Sequence, residues 1–100
     1  MKTVVLPQVA IVAEAVLRER LIDEVLSAGA KGYTLWPVEG DGSRHVRAGD
    51  VPGENIRIET ITTPEVADCL LSKLASDYFA DYALIVFVTD VHVVRGDKYV

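Results

Sequence analysis

Residues 55–74 read NIRIETITTPEVADCLLSKL, and the hydrophobic period changes part-way along them. Up to Thr62 apolar and polar residues alternate, with Ile56 and Ile58 on one face and Arg57 and Glu59 on the other, which is the two-residue period of a half-buried strand. Thr63-Pro64-Glu65 then reads as a helix start. The threonine hydroxyl can cap, the proline forfeits no hydrogen bond at the first helical position, and the acid sits at the positive end of the helix dipole. Val66, Ala67, Leu70, Leu71 and Leu74 follow at helical spacing, and residues 77–81 form the exit.

Working outward, residues 82–94 predict a long strand, apolar on both faces near its start and interrupted by Asp90 and His92. On the other side, residues 31–38 carry Tyr33, Leu35 and Trp36 and predict a strand that Pro37 and Gly40 end. Residues 13–28 place Leu17, Leu21, Ile22, Val25 and Leu26 opposite Arg18, Glu19, Arg20, Asp23 and Glu24, an amphipathic helix closed by Gly29. Residues 2–12 complete the set as a strand in which Pro7 must occupy an edge or an irregularity. The order strand, helix, strand, strand, helix, strand is that of a ferredoxin-like α+β sandwich, one antiparallel sheet with two helices on one face. One hundred residues, half of them apolar, suffice for one domain spanning 1–100. No third helix exists to cover the second sheet face, so another copy of the chain is expected there.

Ten basic against 15 acidic residues give a net charge of −5, which disfavours a nucleic-acid partner. An RNA-binding module with this strand order would also stack bases on aromatic residues of its central strands, where Val, Asp and His are expected instead. The longest apolar run, 83–88, is far short of the roughly 20 residues of a membrane helix, and the N-terminus lacks a signal-peptide layout, so a cytoplasmic protein is expected. Cys69 has no cysteine partner, and with His45 and His92 it makes no zinc spacing; it reads as a small buried hydrophobe on a helix.

Residues 39–54 hold four of the seven glycines, at Gly40, Gly42, Gly49 and Gly53, in one long connection of the kind that is generally functional or disordered. Within it, Gly42-Ser43-Arg44-His45-Val46-Arg47 sets two guanidinium groups three residues apart beside a hydroxyl and a permissive backbone, a set suited to phosphate. At roughly 1.5–3 kcal/mol for each charge-assisted bond, two arginines supply about 3–6 kcal/mol against an association cost on the order of 4–15 kcal/mol. The rest of the ligand therefore needs a slot of its own, and a boundary between copies can provide one. For catalysis the candidates are His45, His92 and Asp90, each read more simply as a solvent or boundary side chain. No catalytic residue and no resident metal are expected. The alternatives are a sensor of the same fold for a different small molecule, or a nucleotide hydrolase.

Gly32-Tyr33-Thr34, the Gly42 to Arg47 segment and Asp81-Tyr82-Ala83 together resemble the SbtB family over residues 10–94. These are PII-like carbon-sensing signalling proteins of cyanobacteria that accompany the sodium-dependent bicarbonate transporter SbtA. The resemblance implies a homotrimer with AMP, cyclic AMP, ADP or ATP in the clefts between subunits. It identifies 39–54 as the T-loop. Arg44 and Arg47 would meet phosphates, assisted by Ser43 and the Gly42 backbone. Thr34 and the backbone of Gly32 and Tyr33 would face the adenine, as would the backbone of Phe87, Val88, Thr89 and Asp90. Arg95 would reach the phosphates from the neighbouring wall. Calcium or magnesium is a candidate companion of ATP. The implied location is cytoplasmic, with reversible peripheral association with the inner membrane through the transporter. Some relatives carry a C-terminal cysteine loop; here residues 95–100 read RGDKYV, so neither its redox switch nor its associated diphosphohydrolase activity is expected.

Overall fold

The computed structural model describes residues 1–39 and 54–100. Four strands, β1 (Val4–Glu14), β2 (Thr34–Val38), β3 (Asn55–Ile61) and β4 (Ile85–Val93), form one antiparallel sheet in the order β2-β3-β1-β4. Helices α1 (Arg18–Ser27) and α2 (Pro64–Asp77) complete the expected βαββαβ arrangement. Two 3-10 turns, Ala15–Leu17 and Gly96–Tyr99, lie before α1 and after β4.

The core forms where one sheet face meets the helices. Val9, Ile11 and Ala13 of β1 pack with Ile56 and Ile58 of β3 against Leu21 and Val25 of α1 and Ala67, Leu70 and Leu74 of α2. On β3 the alternation is as expected, with Ile56 and Ile58 buried and Arg57 and Glu59 turned to the other face. At the start of α2 the Thr63 hydroxyl accepts from the Val66 amide at 3.3 Å, the cap that the sequence predicts.

Several boundaries differ from the sequence expectation, each for a local reason. β1 runs on to Glu14 because Ala13 and Glu14 pair with Ile56 and Asn55, so cross-strand bonding overrides helical periodicity there. The chain turns through Ala15–Leu17, with the Ala15 amide on the Glu54 carbonyl at 2.8 Å, before α1 begins. β4 starts at Ile85 because the Tyr82 amide bonds the Tyr78 carbonyl at 2.9 Å and holds that segment in a turn. Pro7 lies in a central strand, where its carbonyl accepts from the Thr62 amide at 3.1 Å. Its nitrogen points the same way, toward the side on which β3 has ended, so the ladder with β4 is unharmed. Cys69 is exposed, as is Leu26: the buried stripe of α2 is Ala67, Leu70 and Leu74, and Cys69 falls beside it.

Tyr78 joins the two helices. Its ring is buried and its hydroxyl donates to Glu24 Oε2 at 2.9 Å, while the Arg20 guanidinium lies 4.9 Å from the ring centre. Burial, then the bond to Glu24, raises the Tyr78 pKa above the ordinary 10.0. A raised folded-state value means stability that is complete below about pH 10 and is lost as pH rises through the folded value. Tyr78→Phe is expected to lower stability by about 0.5–1.5 kcal/mol at neutral pH and to flatten the alkaline fall; urea melts at pH 7 and above pH 10 measure both.

Among the described residues no helix covers the second sheet face. On it the Arg57 guanidinium of β3 lies 5.9 Å from the Trp36 ring of β2 and reaches across β1 to within 5.0 Å of the Phe87 ring of β4, whose residue is level with Glu59 in the ladder. Arg57 also pairs with Glu59 at 2.6 Å, and Gln8 Nε2 donates to the other Glu59 oxygen at 2.9 Å. Nearby on the outer strand Ile85 and Phe87 remain exposed.

Candidate functional site

The link from α1 to β2 is shaped by two contacts. Gly29 takes φ 112°, a left-handed value that ends α1, and a Cβ there would press on Val66 at 3.2 Å. The buried Thr60 hydroxyl then donates to the Gly32 carbonyl at 2.7 Å and fastens the link to β3. Strand β2 consequently starts only at Thr34, and residues 31–33, expected within the strand, form its approach. A Cβ on Gly32 would meet no described atom within 4 Å. Its small size is therefore not demanded by the chain's own packing among the described residues.

Beside this link lies an open groove of about 410 Å³. Gly32, Tyr33 and Thr34 form one wall, and Gln8, Glu59 and Ile61 of the uncovered sheet face form its floor. The C-terminal 3-10 turn crosses to the far side and contributes Lys98 and Tyr99. Three residues chosen from the sequence thus converge, while Lys31, Lys98, Tyr99, Glu59 and Gln8 were not anticipated as neighbours of them. The return of the C-terminal turn leaves no periodic signal; Arg95, which initiates it, adopts a left-handed φ of 61° that is not legible in the residue type.

The remaining predicted residues do not line this groove, although Thr89 pairs with Gln8 of its floor. Phe87, Val88, Thr89 and Asp90 sit on β4, the edge strand opposite β2. With neighbouring strands roughly 4.8 Å apart, the width of the sheet separates them from Thr34. Arg95 lines a different hollow of about 500 Å³ with Lys2, Val4 and Val93. Gly42, Ser43, Arg44 and Arg47, with His45, lie outside the described residues. Among the described residues no three His, Cys, Asp or Glu side chains gather into a metal-binding group, and no helix is long and apolar enough to cross a membrane.

Residues 6–98 match the family model described as nitrogen regulatory protein P-II. The chain belongs to the P-II family. A solved PII-like signalling protein from Thermus thermophilus is 52% identical over the whole of both chains, with a TM-score of 0.86. CPII of Thiomonas intermedia, bound to ADP, AMP and acetate, is 30% identical over 99% of this chain and 98% of its own, with a TM-score of 0.85. A structure of CPII with ADP and bicarbonate is 29% identical over 98% of this chain and 97% of its own, with a TM-score of 0.84. The P-II fold is thus the architecture in which the groove and the two separated residue sets occur.

Gly32 provides a direct probe of the groove in this P-II chain. Gly32→Ala is expected to leave stability within about 1 kcal/mol of the wild type, because the added methyl enters open space. An adenine nucleotide seated on the Gly32 backbone would lose affinity roughly tenfold, a loss of about 1.4 kcal/mol. A thermal melt and a calorimetric titration of the same variant separate the two effects.

Proposed function

We propose that this P-II family chain is a nucleotide-sensing regulatory protein that works by differential binding and not by catalysis. Three copies enclose adenine nucleotides, AMP, cyclic AMP, ADP or ATP, in the clefts between them, and calcium or magnesium can accompany ATP. The observation that carries this proposal is the placement of the two residue sets. Gly32, Tyr33 and Thr34 line a groove at one sheet edge, while Phe87 to Asp90 occupy the opposite edge. One chain leaves these walls apart; a ring of copies brings the β4 edge of one against the β2 edge of the next. The uncovered face bearing Trp36, Arg57 and Phe87 gives those copies a surface to share.

ADP and AMP in CPII support adenine nucleotides as the ligand class. Bicarbonate beside ADP in the same relative favours a link to inorganic carbon. On that basis the 39–54 T-loop, through Ser43, Arg44 and Arg47, responds to the phosphate chain and presents different surfaces to a bicarbonate transporter of the SbtA type. Regulation then takes place at the cytoplasmic side of the inner membrane, where the protein associates reversibly. A ligand can shift the loop only by its difference in affinity for the two loop states, so nucleotides of different phosphate number must contact the loop differently. Calorimetric titration with AMP, cyclic AMP, ADP and ATP tests the proposal: saturable binding with unequal affinities is expected, and indifference to all four would overturn it.

A further inference from the structure

We propose that Arg20, on α1, is a positioning residue for the nucleotide site, acting through Tyr82 on the strand that carries Phe87 to Asp90. Its guanidinium lies 4.9 Å from the centre of the Tyr78 ring and 5.5 Å from that of the Tyr82 ring, and Nη1 donates to the Tyr82 hydroxyl at 3.0 Å. About one helical turn on, Glu24 accepts from the Tyr78 hydroxyl. Neighbouring turns of α1 thus pin the two tyrosines of the link that joins α2 to β4.

The link is wound around those tyrosines. The Asp81 and Tyr82 amides both bond the Tyr78 carbonyl, at 3.1 and 2.9 Å, and the Leu84 amide bonds the Tyr82 carbonyl at 3.0 Å. Tyr82 and Leu84 pack against the core, while the Tyr82 hydroxyl reaches outward to Arg20. Strand β4 starts directly after the link, at Ile85, and as an edge strand it is bonded by β1 on one side only. The lie of its first half is therefore set by that ladder and by the link. Tyr82 lines neither hollow of the chain, so its influence on a ligand runs through the strand it introduces. Arg20 is exposed, and cation–ring contacts at exposed sites stabilise a fold only weakly. The bracket fixes where the link lies more than it adds to stability.

This role rests on nucleotide binding as argued above, and its test separates the two. ADP is titrated into the wild type, Arg20→Ala, Tyr82→Phe, the double variant and Arg18→Ala, with melting temperature and oligomer mass followed for each. Arg18 controls for charge, since it is exposed on the same helix and pairs there with Glu19. Arg20→Ala is expected to lose roughly three- to tenfold in ADP affinity, within the span of coupling carried through a packed network, at unchanged melting temperature and mass. Tyr82→Phe keeps the ring and loses the acceptor, so its loss should be smaller. The double variant should bind no more weakly than Arg20→Ala, because the two groups act as one contact. Arg18→Ala should match the wild type. Unchanged affinity in Arg20→Ala, or an equal loss in Arg18→Ala, would overturn the role while leaving nucleotide binding intact. Losses that add in the double variant, or that appear only with a lower melting temperature, would overturn it too. A wild type that binds no ADP overturns the role together with the reading beneath it.

Discussion

Arg57→Ala is expected to break the assembled protein into smaller species and to remove about 3–5 kcal/mol from its stability, the range for breaking a buried ion pair from one side. Within one chain the Arg57 and Glu59 side chains retain 29% and 19% exposure. Covering that face with a second copy desolvates both, and the alanine variant then leaves Glu59 without its cation. The same change removes the guanidinium lying between Trp36 and Phe87, the aromatic contacts that span from β2 to β4. Light scattering with urea melts at several protein concentrations reads both effects. Arg57→Met combined with Glu59→Leu should recover much of the loss, because no unpaired charge remains. An assembly of unchanged mass and stability in the single variant would show that this face stays in water.

The second large effect is expected at Arg47. Arg47→Ala should weaken AMP, ADP and ATP by roughly 10- to 100-fold, the loss of one charge-assisted bond of about 1.5–3 kcal/mol. Arg44→Ala should behave similarly, and a loss of affinity at an unchanged melting temperature is the expected signature of each change. Calorimetry on the two variants checks this, and unchanged affinity in Arg47→Ala removes that side chain from the site.

Elements with one strongly biased face were legible in the sequence. The alternation of Ile56, Arg57, Ile58 and Glu59 placed each side chain on its observed face, and the Thr63-Pro64 start of α2 has the predicted cap. Ends set by contacts with distant residues were not. Nothing local to Ala13 and Glu14 says that Ile56 and Asn55 will continue the ladder past residue 12. Cys69 was expected in the core because cysteine is often buried, yet a shift of one position from the Ala67, Leu70, Leu74 stripe puts it at the surface.

The candidate site divides in the same way. Gly32, Tyr33 and Thr34 could be chosen because they match a family pattern, and they line a groove. Lys98 and Tyr99 could not, because their place depends on the left-handed backbone at Arg95 and on Gly96 fitting against Val4. The separation of Thr34 from Phe87 to Asp90 follows from the strand order β2-β3-β1-β4, which is a property of the whole sheet.

Mixing two defective proteins tests most directly whether the nucleotide lies between copies. Gly32→Phe should fill the groove wall, and Arg95→Glu should repel phosphate from the adjoining wall; each alone should bind ADP poorly. After subunit exchange, random mixing of the two chain types in a closed ring leaves about one cleft in four with both walls intact, and that fraction of wild-type ADP binding should return. Mixed assemblies that recover no binding would contradict a site shared by neighbouring chains.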